Sequence, residues 1–119
     1  MLTPFGKCLR MMRMDHGELM KDMADTLGVT PAYLSAVENG KKQPTKELVN
    51  RLQSSYNLDE EYLNKIEEAR AYTTNTIMLD FDNETDGELS IMFARRLSSL
   101  SSGQKSRIAN ILQNKKGGA

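Results

Sequence analysis

The residues with the most to offer chemically lie in the stretch 23–45, MADTLGVTPAYLSAVENGKKQPT. They are hydroxyls, small apolar groups and lysines: Thr30, Ala32, Tyr33, Ser35, Ala36 and Asn39, followed by Lys41 and Lys42. Such groups make hydrogen bonds, apolar contacts and ion pairs with another molecule. Bond-making chemistry finds little support. A nucleophile needs an adjacent base and a metal centre needs several ligands, but the chain has one cysteine, Cys8, and one histidine, His16, with no His-x-x-His or Cys-x-x-Cys spacing. Cys8 falls inside a predicted helix and His16 in the turn after it, where packing and surface polarity are the ordinary roles. The run DNETDG at 82–87 opens like an EF-hand calcium loop, yet its twelfth position is Phe93, where a bidentate Glu is required. It reads as a solvated loop. The expectation is a binding protein that needs no cofactor, not an enzyme.

Two short helices position these groups. Met20, Met23, Ala24 and Leu27 recur at helical spacing and stop at Gly28, a residue that takes the left-handed conformation a helix end favours. Met20 and Met23 read as core filler rather than a ligand surface. After a tight turn, Thr30 sits where a hydroxyl caps exposed amides and Pro31 occupies the first helical position. Leu34 and Val37 then give the second helix a narrow apolar stripe before Gly40 ends it. Only one side of that helix is buried, so most of its polar and small residues face outward.

With residues spaced around it, this segment resembles the helix-turn-helix domain of the phage-repressor and Cro-like proteins, the Xre family, over about residues 3–63. The resemblance is carried by Leu9, Arg13, Ala24, Leu27, Gly28, Val29, Leu34, Ser35, Glu38 and Gly40, with Pro44 and Leu48 downstream. It implies that the helix beginning at Thr30 lies in the major groove of double-stranded DNA while the preceding helix crosses the backbone. The base-facing residues so implied are Pro31, Ala32 and Ala36, with Tyr33 and Ser35 alongside; small apolar groups suit thymine methyls. Phosphates are expected to meet Arg10, Lys41, Lys42 and Lys46, the Thr30 hydroxyl, Asn39 at the helix end, and the amides at the helix N-terminus. Arg13 and Glu38 are implied as an ion pair between the first and third helices. Two positions depart from the family pattern: many members carry Gln where this chain has Met20, and Gln near Pro31 and Ala32. Shape and water-mediated readout are therefore expected to carry more of the specificity.

The whole chain of 119 residues reads as all-α. Helices are expected at about 4–14, 19–27, 31–39, 46–55 and 60–72, a five-helix domain over residues 1–72. Residues 73–87 read as an acidic connector, extended or with a short strand over 77–81. Residues 88–119 read as a helical hairpin, with Leu89, Met92, Phe93 and Leu97 on one side of its first helix and a capping box at 101–104 before the second; a frayed end over 115–119 follows. The hairpin is too short to bury its apolar faces alone. Phe93, Leu97, Ile108 and Leu112 are expected to pack on the domain or, as suits a symmetric homodimer on a palindromic operator, on a second copy. Charge is segregated: net +2 over 1–53, −8 over 54–90 and +6 over 91–119, summing to zero. An acidic centre and a basic tail also fit a second reading, an antitoxin that neutralises a toxin or other protein partner through its C-terminal region and represses its own operon. The lone cysteine, with no secretory signal and no apolar run near the ~20 residues of a membrane span, points to the cytoplasm.

Overall fold

The computed structural model describes residues 1–114. Among them are α1 (Pro4–His16), α2 (Met20–Leu27), α3 (Pro31–Glu38), α4 (Lys46–Tyr56), α5 (Glu60–Thr74), α6 (Glu84–Arg96), a 3₁₀ turn (Leu97–Ser99) and α7 (Ser102–Gln113), with no strand. The class is all-α, as expected. Most helix starts are written in the local sequence. Thr3, Thr30, Thr45, Asp59, Asn83 and Ser101 each offer a side-chain oxygen to a backbone N–H three residues on, which satisfies a donor that the helix itself cannot. Leu19 has no such oxygen, and there the Asp22 carboxylate reaches back to accept the Leu19 N–H at 2.8 Å.

The chain divides into two compact units, Met1–Ile77 and the residues from Met78 on. In the first, Phe5, Leu9 and Met12 of α1 meet Met23, Ala24 and Leu27 of α2, Leu34 and Val37 of α3, Leu48, Val49 and Leu52 of α4, and Ile66 of α5. Met23 is fully buried and Met20 packs against this core, so both methionines fill space. α5 runs antiparallel along α1, its last turn accepting the Phe5 N–H on the Thr73 hydroxyl at 3.1 Å. At the opposite end of α1, the Tyr56 hydroxyl donates to Glu18 at 2.8 Å, and its ring stands edge-on to His16 at 5.0 Å. Burial, followed by that hydrogen bond to Glu18, pushes the Tyr56 phenol up to about 12.

The segment from Ile77 on decides one expectation and corrects another. Of the two readings of residues 77–81, an extended connector or a short strand, the strand does not form. Their β-branched, alternating pattern satisfies the local preference, but no neighbouring strand exists among the described residues to take up the backbone N–H and C=O groups. Ile77, Met78, Leu79 and Phe81 stay exposed. Nor is the acidic run at 82–87 a loop. Asn83 caps α6, and Glu84 to Gly87 form its first turn, where acidic groups suit the helix dipole. Phe81 lies over Gly87 so closely that a Cβ there would stand 2.8 Å from the ring. The expected capping box is present, Gln104 donating its N–H to the Ser101 hydroxyl at 3.1 Å and Ser101 its N–H to the Gln104 side chain at 2.9 Å. Among the described residues the second unit has almost no interior: Gly87 is the one buried residue of α6, and α7 has none. Lys115 and Lys116, part of the basic tail, and the frayed end expected over 115–119 lie outside the described residues.

Candidate nucleic-acid interface

α3 is short, and its neighbours fix its orientation. At its N-terminus the Thr30 hydroxyl accepts the Tyr33 N–H at 3.0 Å, and Pro31 starts the first turn. The turn from α2 passes through Gly28 at φ 70°, a backbone conformation that side-chain-bearing residues rarely adopt. Arg51 of α4 then clamps that turn. Its Nη1 donates to the Leu27 carbonyl at 3.0 Å and the Gly28 carbonyl at 3.4 Å, while Nη2 pairs with Glu47 at 2.8 Å.

The C-terminal end of α3 is held from beneath. Glu38, 1% exposed, forms a two-pronged ion pair with the guanidinium of Arg13, itself 8% exposed. Nη1 of Arg13 donates to Oε2, and Nη2 donates to Oε1 at 3.2 Å. Nη1 also lies 3.8 Å from the sulfur of Met23. A planar guanidinium matches a carboxylate in this geometry, which fixes the rotation of α3 as well as its position. The Glu38 carbonyl accepts the Thr3 N–H at 3.0 Å and the Thr3 hydroxyl at 3.3 Å. Gly6 allows this approach, since a Cβ on it would sit 2.3 Å from the same carbonyl oxygen.

This support leaves one side of α3 open. Pro31 and Ala32 are exposed, whereas Tyr33, Ser35 and Ala36 are half-buried and Tyr33 packs against the core. These three are set deeper than their place off the apolar stripe implied: α1 and α2 flank so short a helix closely, and Tyr33 shares a concavity with Val29 of the turn and Leu48 and Arg51 of α4. Asn39 closes the helix end by donating to the Ser35 carbonyl at 2.9 Å. The Lys41 and Lys42 N–H groups fold back to the Ala36 carbonyl at 2.9 and 3.2 Å, so both lysines are anchored to the end of α3 with their side chains exposed. Arg10, three residues before Arg13, is exposed on α1. Among the described residues Arg10, Lys41 and Lys42 have no ion-pair partner. Lys46 differs, since its ammonium lies 3.3 Å from Glu67. The Thr30 hydroxyl spends an acceptor lone pair on its cap and keeps its O–H free to donate.

The clamp at Arg51, the close approach at Gly6 and the second role of Thr3 escape sequence reasoning. Their signals were present but weak: Glu47 and Arg51 stand at the spacing of a helical ion pair, and an isolated Gly inside a helical pattern often marks close packing.

A helix-turn-helix family model matches residues 9–63. The chain is also similar to the transcriptional regulator ClgR of Mycobacterium tuberculosis, in strains CDC 1551 / Oshkosh and ATCC 25618 / H37Rv. In both cases identity is 36% over 47 residues, covering 40% of this chain and 42% of the relative. The similarity thus spans less than half the length of these regulators. No solved structure gives a significant match. The α2–turn–α3 geometry, the Arg13–Glu38 pair and the helix-turn-helix match all fall on the same segment, residues 9–63.

Proposed function

We propose that the chain is a sequence-specific, double-stranded-DNA-binding transcriptional regulator that acts as a dimeric repressor on a palindromic operator. The observation that carries this reading is the two-sidedness of α3. Leu34, Val37 and Glu38 are buried, Pro31 and Ala32 are open, and two lysines are tied back onto its end. A helix held this firmly and left bare on one side is the kind of element a major groove receives. In the proposed complex Pro31 and Ala32 enter furthest, Ser35 and Ala36 follow, and Tyr33 contributes the edge of a ring whose body is anchored. Arg10, Lys41, Lys42, the Thr30 hydroxyl and Asn39 hold phosphates, and Lys46 joins them by exchanging Glu67 for DNA. Two copies meet through the C-terminal helices, where Phe93 and Leu97 are 39% and 44% exposed, Leu112 is 76% exposed and Ile108 is half-buried. The similarity to proteins named as transcriptional regulators supports the same reading.

Salt dependence tests it. Arg10, Lys41, Lys42 and Lys46 of both copies neutralise about eight phosphates per dimer, which gives log affinity a slope of roughly −7 against log salt. Replacing Lys41 and Lys42 together by Ala flattens that slope and weakens all sequences alike. Absence of binding at low salt across a library of genomic fragments overturns the proposal.

A further inference from the structure

The second unit presents a pattern of charge and apolar surface that is complementary to itself. Along α6, Leu89, Met92 and Phe93 share one side at helical spacing and are 64%, 57% and 39% exposed. The helix begins acidic, with Glu84, Asp86 and Glu88, and ends basic, with Arg95 and Arg96. Glu88 and Arg95 stand seven residues apart, nearly two turns, and so occupy the same flank of the apolar stripe. Neither has an ion-pair partner among the described residues, and both are exposed.

We propose that α6 pairs antiparallel with α6 of a second copy, about a two-fold axis that crosses the Leu89–Met92–Phe93 side at the height of residue 91, through reciprocal Glu88–Arg95 ion pairs that flank a Leu89–Met92–Phe93 contact. The apolar and charged patterns share one centre. The midpoint of Leu89 and Phe93 and the midpoint of Glu88 and Arg95 fall within a residue of each other in sequence. A single axis therefore sets Leu89 of each copy against Met92 and Phe93 of the other, and at the same time brings both Glu88–Arg95 pairs together, as an isologous interface requires. In antiparallel pairs the same flank of each helix meets its counterpart, so one acidic and one basic residue on that flank suffice. A parallel arrangement would set acidic ends against acidic ends and basic ends against basic ends. The pairing also covers a unit that buries only Gly87 of α6 on its own. This proposal rests on the reading of the C-terminal helices as the dimer contact.

Analytical ultracentrifugation of the full chain and three variants decides the matter, with helix content checked by circular dichroism. Glu88→Arg alone, or Arg95→Glu alone, turns two attractive contacts into two repulsive ones. Each weakens dimerisation by about tenfold at the magnitudes of exposed pairs. The double variant Glu88→Arg/Arg95→Glu exchanges the charges and restores the original dissociation constant to within about threefold. A dimer indifferent to the single reversals, or a double variant no tighter than the singles, overturns the antiparallel pairing while leaving a C-terminal dimer standing. A full chain that stays monomeric at every concentration overturns both, and assigns the exposed stripe to a different protein.

Discussion

Replacing Glu38 by Ala strands a charge. Arg13 is 8% exposed, and apart from Glu38 its guanidinium has only a long contact to the Met23 sulfur at 3.8 Å, a weak acceptor, among its hydrogen bonds in the described residues. With the carboxylate gone, the guanidinium is left largely desolvated and without a counter-charge, and truncations of this kind cost about 3–5 kcal/mol. In a unit of this size that corresponds to a fall in thermal midpoint of roughly 15–30 °C. The Thr3 contacts to the Glu38 carbonyl survive, since they involve backbone, so the loss isolates the ion pair. Urea unfolding followed by circular dichroism at pH 7 measures it, alongside Arg13→Met and the double variant Arg13→Met/Glu38→Leu. The double variant should be more stable than either single, because it removes both charges and leaves apolar groups in their place. A loss below about 1 kcal/mol for Glu38→Ala, or a double variant whose loss equals the sum of the singles, would refute the reasoning that a desolvated pair fixes α3.

Three further outcomes follow from the same geometry. Ala32→Glu places a carboxylate on the exposed side of α3 without entering the core; DNA binding should disappear in a mobility-shift assay while unfolding free energy changes by less than about 0.5 kcal/mol. Tyr56, raised to about 12 in the folded chain, contributes stability that is complete below the ordinary phenol value near 10 and is lost as pH rises to about 12. Thermal midpoints should fall across that window, and less steeply in Tyr56→Phe, where the remainder comes from Tyr62 and the Cys8 thiol, which burial also raises. A chain ending at Ile77 keeps Thr73 against the Phe5 amide and should fold, yet sediment as a monomer at concentrations where the full chain is dimeric; equally tight dimerisation would move the interface into α1–α5.

What the sequence disclosed was mostly local chemistry. Thr3, Thr30, Thr45 and Ser101 could be recognised as caps because a cap is made within a few residues, and the core of the first unit followed from the spacing of Leu9, Met23, Leu34 and their neighbours. The Arg13–Glu38 pair, 25 residues apart, is invisible to periodicity and came from family resemblance. Arg51 on the α2–α3 turn and Gly6 beneath the Glu38 carbonyl are long-range contacts of the same sort, with no resemblance to announce them. The misplaced features share a cause. A β-branched run at 77–81 satisfies strand preference locally, but a strand also needs a partner; an acidic run reads as a loop until Asn83 is recognised as a cap that lets the helix begin. Half-burial of Tyr33, Ser35 and Ala36 likewise depends on how closely the neighbouring helices approach a short helix.

The claim that α3 reads DNA is tested most directly by selection of genomic fragments with the purified full chain, run in parallel with Ala32→Glu. The account predicts enrichment of a palindromic sequence whose half-sites lie about one helical turn apart, or a multiple of it, and the loss of that enrichment in the variant. Recovery of the same fragments by both proteins, or no enriched sequence with the unaltered chain, would contradict it.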